Sequence, residues 1–300
     1  MFTVDNHLHV GEPNKHVSAW VYSELRKNWD DRGNIYNTGP ISGEKRDTLG
    51  LVDTLDATGV DLGLIMAGDW NRVLTPEQRP YNVSNDYVAS VVRESNGRLL
   101  GIASVDPVAD PWGAATEVER MVKEHDFRAI KLFPTYQHYD PRDPAVEPVY
   151  EAAQALDVPV HFHMGWTPVA SAKMDFQRPW LLDDVGRRFP NLKVVMCHLG
   201  NPWTDEAAAV IARHENFFGD VSALGFWHPR KVYQIIHDFG CLNPYDKLLY
   251  GSENPFSTGY LDTIRNLDRI GKEMGLPGIS DENLAKILGE NARSLYKITD

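Results

Sequence analysis

Val4-Asp5-Asn6-His7-Leu8-His9 places two histidines one residue apart near the start of the chain. In a β-strand, side chains at i and i+2 point to the same side. Both imidazoles would then reach one spot at the strand's C-terminal end. Two neutral imidazole nitrogens aimed at one point suit a divalent transition metal such as Zn²⁺. A His-x-His pair alone is a weak signal, and two ordinary loop histidines read the same way. What decides is whether other strand ends supply further ligands.

The rest of the chain alternates short apolar runs with amphipathic stretches. After the first strand, residues 10–48 read as a long loop punctuated by Gly11, Pro13, Gly33, Gly39, Pro40 and Gly43, a candidate lid over a site. A helix is expected at Thr48–Thr58 and a strand at Leu62–Met66. Val88, Val91 and Val92 fall at helical spacing before a strand at Leu99–Val105. Asp110-Pro111 reads as an N-cap followed by proline at the first helical position. Further strands are expected at Ala129–Phe133, Pro159–His163, Val194–His198, Phe217–Val221 and Leu248–Tyr250. Helices are expected between them, near Val149–Leu156, Trp180–Phe189, Glu206–His214 and 231–239. Ser280 is a candidate N-cap for a last helix with Leu284, Ile287, Leu288 and Leu295 on one stripe.

Eight strand–helix units in 300 residues fit a single α/β domain, a closed (β/α)₈ barrel spanning 1–300. An open doubly wound sheet is the alternative, weakened because no GxGxxG loop follows the first strand. Hydrophobic residues make up 42% of the chain, enough for a large core. Net charge is −12, which argues against nucleic acid or an anionic membrane as partner. The two cysteines, Cys197 and Cys241, are not paired as CxxC and fit a reducing compartment. Residues 1–10 do not read as a signal peptide, and no apolar run approaches the roughly 20 residues of a membrane span. A cytoplasmic enzyme with a small-molecule substrate is the default expectation.

In such a barrel the active site lies at the C-terminal strand ends. Read there, strand 1 gives His7 and His9, strand 4 Lys131, strand 5 His161 and His163, and strand 6 His198. Strand 8 is followed at once by Gly251-Ser252-Glu253-Asn254-Pro255. Five of the eleven histidines therefore converge on one rim, which supports a metal site.

These segments resemble the amidohydrolase superfamily, in particular the amidohydrolase-related branch that includes aminocarboxymuconate-semialdehyde decarboxylase and oxalomesaconate hydratase. The likeness is carried by Asp5–His9, Arg128–Pro134, Pro159–Gly165, Phe189–Lys193, Cys197–Gly200 and Tyr250–Phe256, in that order along the chain. Asn291-Ala292 in the last helix also fits. The resemblance implies that His7, His9 and His163 bind the metal and that His198 polarises its water or the substrate. It implies one divalent ion, zinc or alternatively manganese, and a homodimer at the family level. One position departs. The family's strand-8 residue is usually Asp, whereas this chain has Glu253, as in the hydratase branch. The longer side chain can bind the metal or leave it to move protons.

Other residues keep two readings. His161 is a substrate contact or a buried barrel residue. Lys131 is a carbamylated metal bridge, an ammonium for an anionic substrate group, or the partner of a nearby carboxylate. Arg72 is the candidate carboxylate clamp. Trp166, with Trp70, Tyr136, Trp203 and Trp227, falls in strand-to-helix loops and can line a pocket for a flat substrate. Cys197 reads as a small core residue facing the helix layer. The expected reaction is hydrolysis through a metal-activated water, with His198 and Glu253 as proton carriers. Decarboxylation or hydration on the same ligands is the alternative.

Overall fold

The computed structural model describes residues 1–12, 15–21, 48–73, 81–253 and 258–299. Most of the candidate lid, residues 13–14 and 22–47, lies outside the described residues, as does Asn254-Pro255-Phe256 after strand 8.

Eight parallel strands form one sheet in sequential order. They are β1 (Val4–His9), β2 (Leu62–Met66), β3 (Leu99–Ser104), β4 (Ala129–Leu132), β5 (Val160–Phe162), β6 (Val194–Met196), β7 (Phe217–Asp220) and β8 (Leu248–Leu249). Both faces of these strands are covered, so Leu62–Met66 and Ala129–Leu132 are buried throughout. That is why they read as apolar runs rather than alternating ones, with Lys131 the one charged residue among them. Asn6 N donates to the Tyr250 carbonyl at 3.0 Å, and Glu253 N to the His7 carbonyl at 3.1 Å. These bonds join the chain after β8 to β1 and close the (β/α)₈ barrel.

Helices follow the strands: α1 (Thr48–Thr58), α2 (Asn85–Glu94), α3 (Pro111–His125), α4 (Glu147–Leu156), α5 (Leu181–Arg188), α6 (Thr204–Arg213) and α7 (Pro229–Leu242). Asp110 caps α3 by accepting from Gly113 N, with Pro111 in the first turn. Ser280 caps the helix at Asp281–Ala285 by accepting from Asn283 N. The C-terminal segment is locked onto β8: Asn291 Nδ2 donates to the Leu248 carbonyl at 2.7 Å, and Tyr250 N to the Ile287 carbonyl at 2.8 Å. Two features went unread in the sequence. A two-stranded ribbon pairs Gly68–Asp69 with Asn82–Val83, and a π-helical turn spans Lys286–Glu290. Among the described residues no helix is long and apolar enough to cross a membrane.

Candidate metal centre

β1 presents His7 and His9 with ring centroids 5.5 Å apart, and the turn after β8 presents Glu253 between them. His7 Nε2 lies 3.2 Å from Glu253 Oε2, and His9 Nε2 lies 3.2 Å from Glu253 Oε1. One donor atom from each of the three falls within 4.8 Å of the others. Glu253 takes a left-handed backbone conformation, φ 64°, to reach this point. A residue with a Cβ pays about 1 kcal/mol for that, and such costs persist where the surrounding structure imposes them.

Electrostatics favour a cation here. Burial pushes the Glu253 carboxyl up, but the His7 and His198 imidazoles outweigh it and hold it well below the usual carboxylate range. Burial also pushes His7 down, and the facing Glu253 carboxylate more than reverses that. His9 and His163 are lowered by burial, which keeps each imidazole neutral and its lone pair available. Three buried atoms at this point have no hydrogen-bond partner: His7 Nε2, His163 Nε2 and Glu253 Oε2. Buried polar atoms are ordinarily satisfied. Imidazole nitrogens and a carboxylate oxygen left over together fit a divalent metal, so the residues present match the group the sequence called for.

The expected ligands are not all equally close. His163 lines the same pocket but stands outside the tight group of His7, His9 and Glu253. Its Nδ1 lies 3.2 Å from His198 Nε2. His198 follows β6 in a left-handed turn, φ 60°, and its Nδ1 lies 3.6 Å from Glu253 Oε2. Burial lowers the His198 pKa to about 4, so the ring is neutral at pH 7.

Three side chains lie apart from a substrate contact or from the helix layer. Arg72 does not line the pocket; its guanidinium donates to Asp106 Oδ2 at 3.0 Å and to the Gln137 carbonyl at 2.7 Å. His161 does not line it either. It sits fully buried inside the barrel, with Nε2 2.9 Å from Tyr296 Oη. Cys197 faces the barrel interior instead of the helix layer, because Lys131 Nζ donates to its Sγ at 2.9 Å. Lys131 does line the pocket and is fully buried. Its hydrogen bond goes to that thiol, not to a carboxylate.

Above this polar floor the pocket is aromatic. Trp70 stacks on Tyr136 (4.0 Å, 11° between planes) and on Tyr81 (4.9 Å, 24°). Tyr136 reaches His163 at 5.0 Å, and Tyr81 Oη lies 3.1 Å from His9 Nδ1. Trp166 and Trp227, half-exposed, stand at the rim, whereas Trp203 does not line the pocket. Val17 and Val21, from the described part of the long loop, complete one wall.

Sequence reasoning missed Asp220 at the end of β7. Its Oδ2 lies 2.8 Å from His7 Nδ1, and its Oδ1 accepts from His198 N at 2.8 Å. The signal was present: the strand-end rule that yielded the histidines, applied to strand 7, lands on this carboxylate.

The model of the amidohydrolase family of the second type matches residues 4–298, nearly the whole chain. The chain belongs to that family. A γ-resorcylate decarboxylase from Polaromonas sp. is 24% identical over 267 residues, 72% of this chain and 75% of the relative. A 2-amino-3-carboxymuconate-6-semialdehyde decarboxylase from Dictyostelium discoideum is 26% identical over 238 residues, 65% of this chain and 63% of the relative. Among solved structures, an uncharacterised TIM-barrel protein from Bordetella bronchiseptica superposes with a TM-score of 0.75 at 20% identity, covering 98% of both chains. A 5-carboxyvanillate decarboxylase from Novosphingobium aromaticivorans, complexed with manganese and a nitrobenzoic acid, gives 0.66 at 17% identity, covering 99% of this chain and 96% of its own. These two likenesses bear on the fold, and this amidohydrolase shares the barrel with both.

Proposed function

We propose that this amidohydrolase is a metal-dependent decarboxylase acting on a small aromatic or conjugated carboxylic acid. The observation that carries the reading is the stacked wall of Tyr81, Trp70 and Tyr136, which lines the same pocket as His7, His9 and Glu253 and meets it at His9. A flat ring fits against such a wall, and a carboxylate on it then falls on the polar floor. The curated relatives named above are decarboxylases, which favours carbon–carbon cleavage over the hydrolysis expected from the sequence.

His7, His9 and Glu253 would hold one divalent ion, zinc or manganese, with His163 Nε2 as the further ligand. The ion would supply a Lewis acid for the substrate's oxygen atoms. The protein's own groups do the rest. The aromatic wall orients the ring and excludes water. The Lys131 ammonium at the pocket floor balances substrate negative charge. Decarboxylation of such an acid needs a proton at the ring carbon that bears the carboxylate. The carbon–carbon bond then breaks, its electron pair restores the conjugated ring, and CO₂ leaves. His198 Nε2 and Glu253 Oε2 are the basic atoms placed to take a proton from the entering acid or from water and pass it to that carbon.

The test is a panel of hydroxybenzoic and muconate-type acids, alongside lactones, incubated with the metal-loaded protein while CO₂ and lactone opening are followed. CO₂ release from at least one acid, abolished in His198→Ala, is expected. Lactone opening with no CO₂ from any acid would return the reading to hydrolysis.

A further inference from the structure

Two residues on β7 and its following turn have no part in the reading above, yet they touch the histidines that face the pocket. Asp220 and Ser222 are both fully buried. A buried carboxylate is an acceptor only, so the directions of its bonds can be worked out. Two backbone N–H groups and a hydroxyl point at Asp220 Oδ1, and the His7 ring nitrogen at Oδ2, so both oxygens face donors and act as acceptors.

Asp220 Oδ2 accepts from His7 Nδ1 at 2.8 Å, so Nδ1 keeps its proton and Nε2 is the nitrogen left to be bare when it faces a metal. Asp220 Oδ1 accepts from His198 N, from Ser222 N at 3.0 Å and from the Ser222 hydroxyl. With its own proton given to Asp220, Ser222 Oγ accepts from His198 Nδ1 at 2.7 Å. His198 Nε2 is therefore bare as well. That nitrogen accepts from His163 Nδ1 at 3.2 Å, which leaves His163 Nε2 bare in turn. A single carboxylate thus dictates the proton position on three imidazoles, and each dictate leaves Nε2 with a lone pair.

We propose that Asp220, acting through Ser222, is a positioning residue that sets the tautomers of His7, His198 and His163 so that each keeps a bare Nε2. The proposal deepens the metal-centre reading and rests on it for its consequence. Metal-bound histidines are held this way when a carboxylate takes the other ring proton. Here one carboxylate serves two strands beyond its own, β1 and β6, and the turn after β5 through them. A merely structural Asp220 would move stability and nothing else.

The test uses full-length protein labelled with ¹⁵N-histidine. Long-range proton–nitrogen correlation spectra report which ring nitrogen of each histidine is protonated, and titration with Mn²⁺ gives the metal dissociation constant. Wild type is expected to show Nδ1–H at His7, His198 and His163. Asp220→Asn turns an amide N–H towards His7 Nδ1, so His7 moves to Nε2–H and the Mn²⁺ dissociation constant rises about 10- to 100-fold. Ser222→Ala removes the acceptor of His198 Nδ1 but leaves the His7–Asp220 bond. It is expected to disturb the His198 and His163 tautomers while His7 keeps Nδ1–H, with a smaller rise in the Mn²⁺ dissociation constant than in Asp220→Asn, and Ser222→Thr restores the wild-type spectrum. Wild-type tautomers and affinity in folded Asp220→Asn would overturn the proposal. If that variant does not fold, an undisturbed His198 spectrum in Ser222→Ala overturns it instead. Wild-type protein that binds no Mn²⁺ would sink the metal reading separately, because the metal-free spectra still decide the wiring.

Discussion

At the scale of single residues, the barrel interior is wired by hydrogen bonds that each have a direction. Beneath the pocket, His161 Nε2 donates to Tyr296 Oη at 2.9 Å. The Tyr296 hydroxyl donates to Asn6 Oδ1 at 3.1 Å, and Asn6 Nδ2 donates to the Tyr250 carbonyl at 2.6 Å. This chain ties β5, the C-terminal segment, β1 and the end of β8 together with no charge involved. Burial keeps His161 well below its usual pKa and so neutral. Tyr296→Phe leaves two buried polar atoms unpaired and is expected to cost about 1–3 kcal/mol in urea unfolding, with little effect on metal binding. Equal stability of the variant and wild type would show that the two atoms find other partners. The residue scale is also where the sequence was read least evenly. His7, His9 and Glu253 were legible because strand ends and a His-x-His spacing mark them. The facing of Cys197 and the partners of Arg72 were not legible because the direction of a side chain in a turn depends on neighbours far along the chain. Asp106 and Gln137 claim Arg72, and Lys131 draws Cys197 inwards. Nothing local to residues 72 or 197 announces those partners.

At the scale of elements, the strands were legible throughout and the small irregular pieces were not. A covered parallel strand reads as a mostly apolar run, broken here only where a side chain turns into the barrel or its mouth, and all eight candidate strands in the sequence became strands of the sheet. The two-residue ribbon at Gly68–Asp69 has no room for a pattern, yet it carries Tyr81 towards His9 through the Trp70 N–H bond to the Tyr81 carbonyl at 2.9 Å. The π-turn at Lys286–Glu290 is likewise set by contact, since a Cβ on Gly289 would lie 2.2 Å from the Phe2 carbonyl oxygen. Close packing between strand and helix layers has a similar demand on β3. A Cβ built on Gly101 would lie 2.4 Å from the Phe127 ring, and that ring is buried with nowhere to withdraw. Gly101→Ala is therefore expected to destabilise the barrel by about 1–3 kcal/mol through overpacking. A thermal melt checks it; an unchanged midpoint would mean that the Phe127 ring can repack.

At the scale of the whole molecule, the candidate metal centre lies on the seam of the barrel. His7 and His9 belong to the first strand, and Glu253 follows the last. An ion held by all three would staple β1 to β8 across the place where the sheet closes, beside the bonds from Asn6 to Tyr250 and from Glu253 to His7. Binding to the folded state alone stabilises it by about 2.7 kcal/mol when free metal is 100 times its dissociation constant. Stripping the metal with a chelator is expected to lower Tm by about 5 °C, and restoring Zn²⁺ or Mn²⁺ should recover it. Mg²⁺, which prefers oxygen ligands and keeps its waters, should recover little. Identical melts with and without chelator would place no ion on the seam.

The most direct measurement is anomalous diffraction at the zinc edge from crystals grown with Zn²⁺. A single strong peak is expected within about 2.0–2.2 Å of His7 Nε2, His9 Nε2 and a Glu253 oxygen, with His163 Nε2 turned towards it. The opposite result is a peak among His161, Cys197 and Asp220 or among His7, His198 and Asp220, the two fully buried donor groups found among the described residues, or no peak at all with His7, His9 and Glu253 paired only to one another.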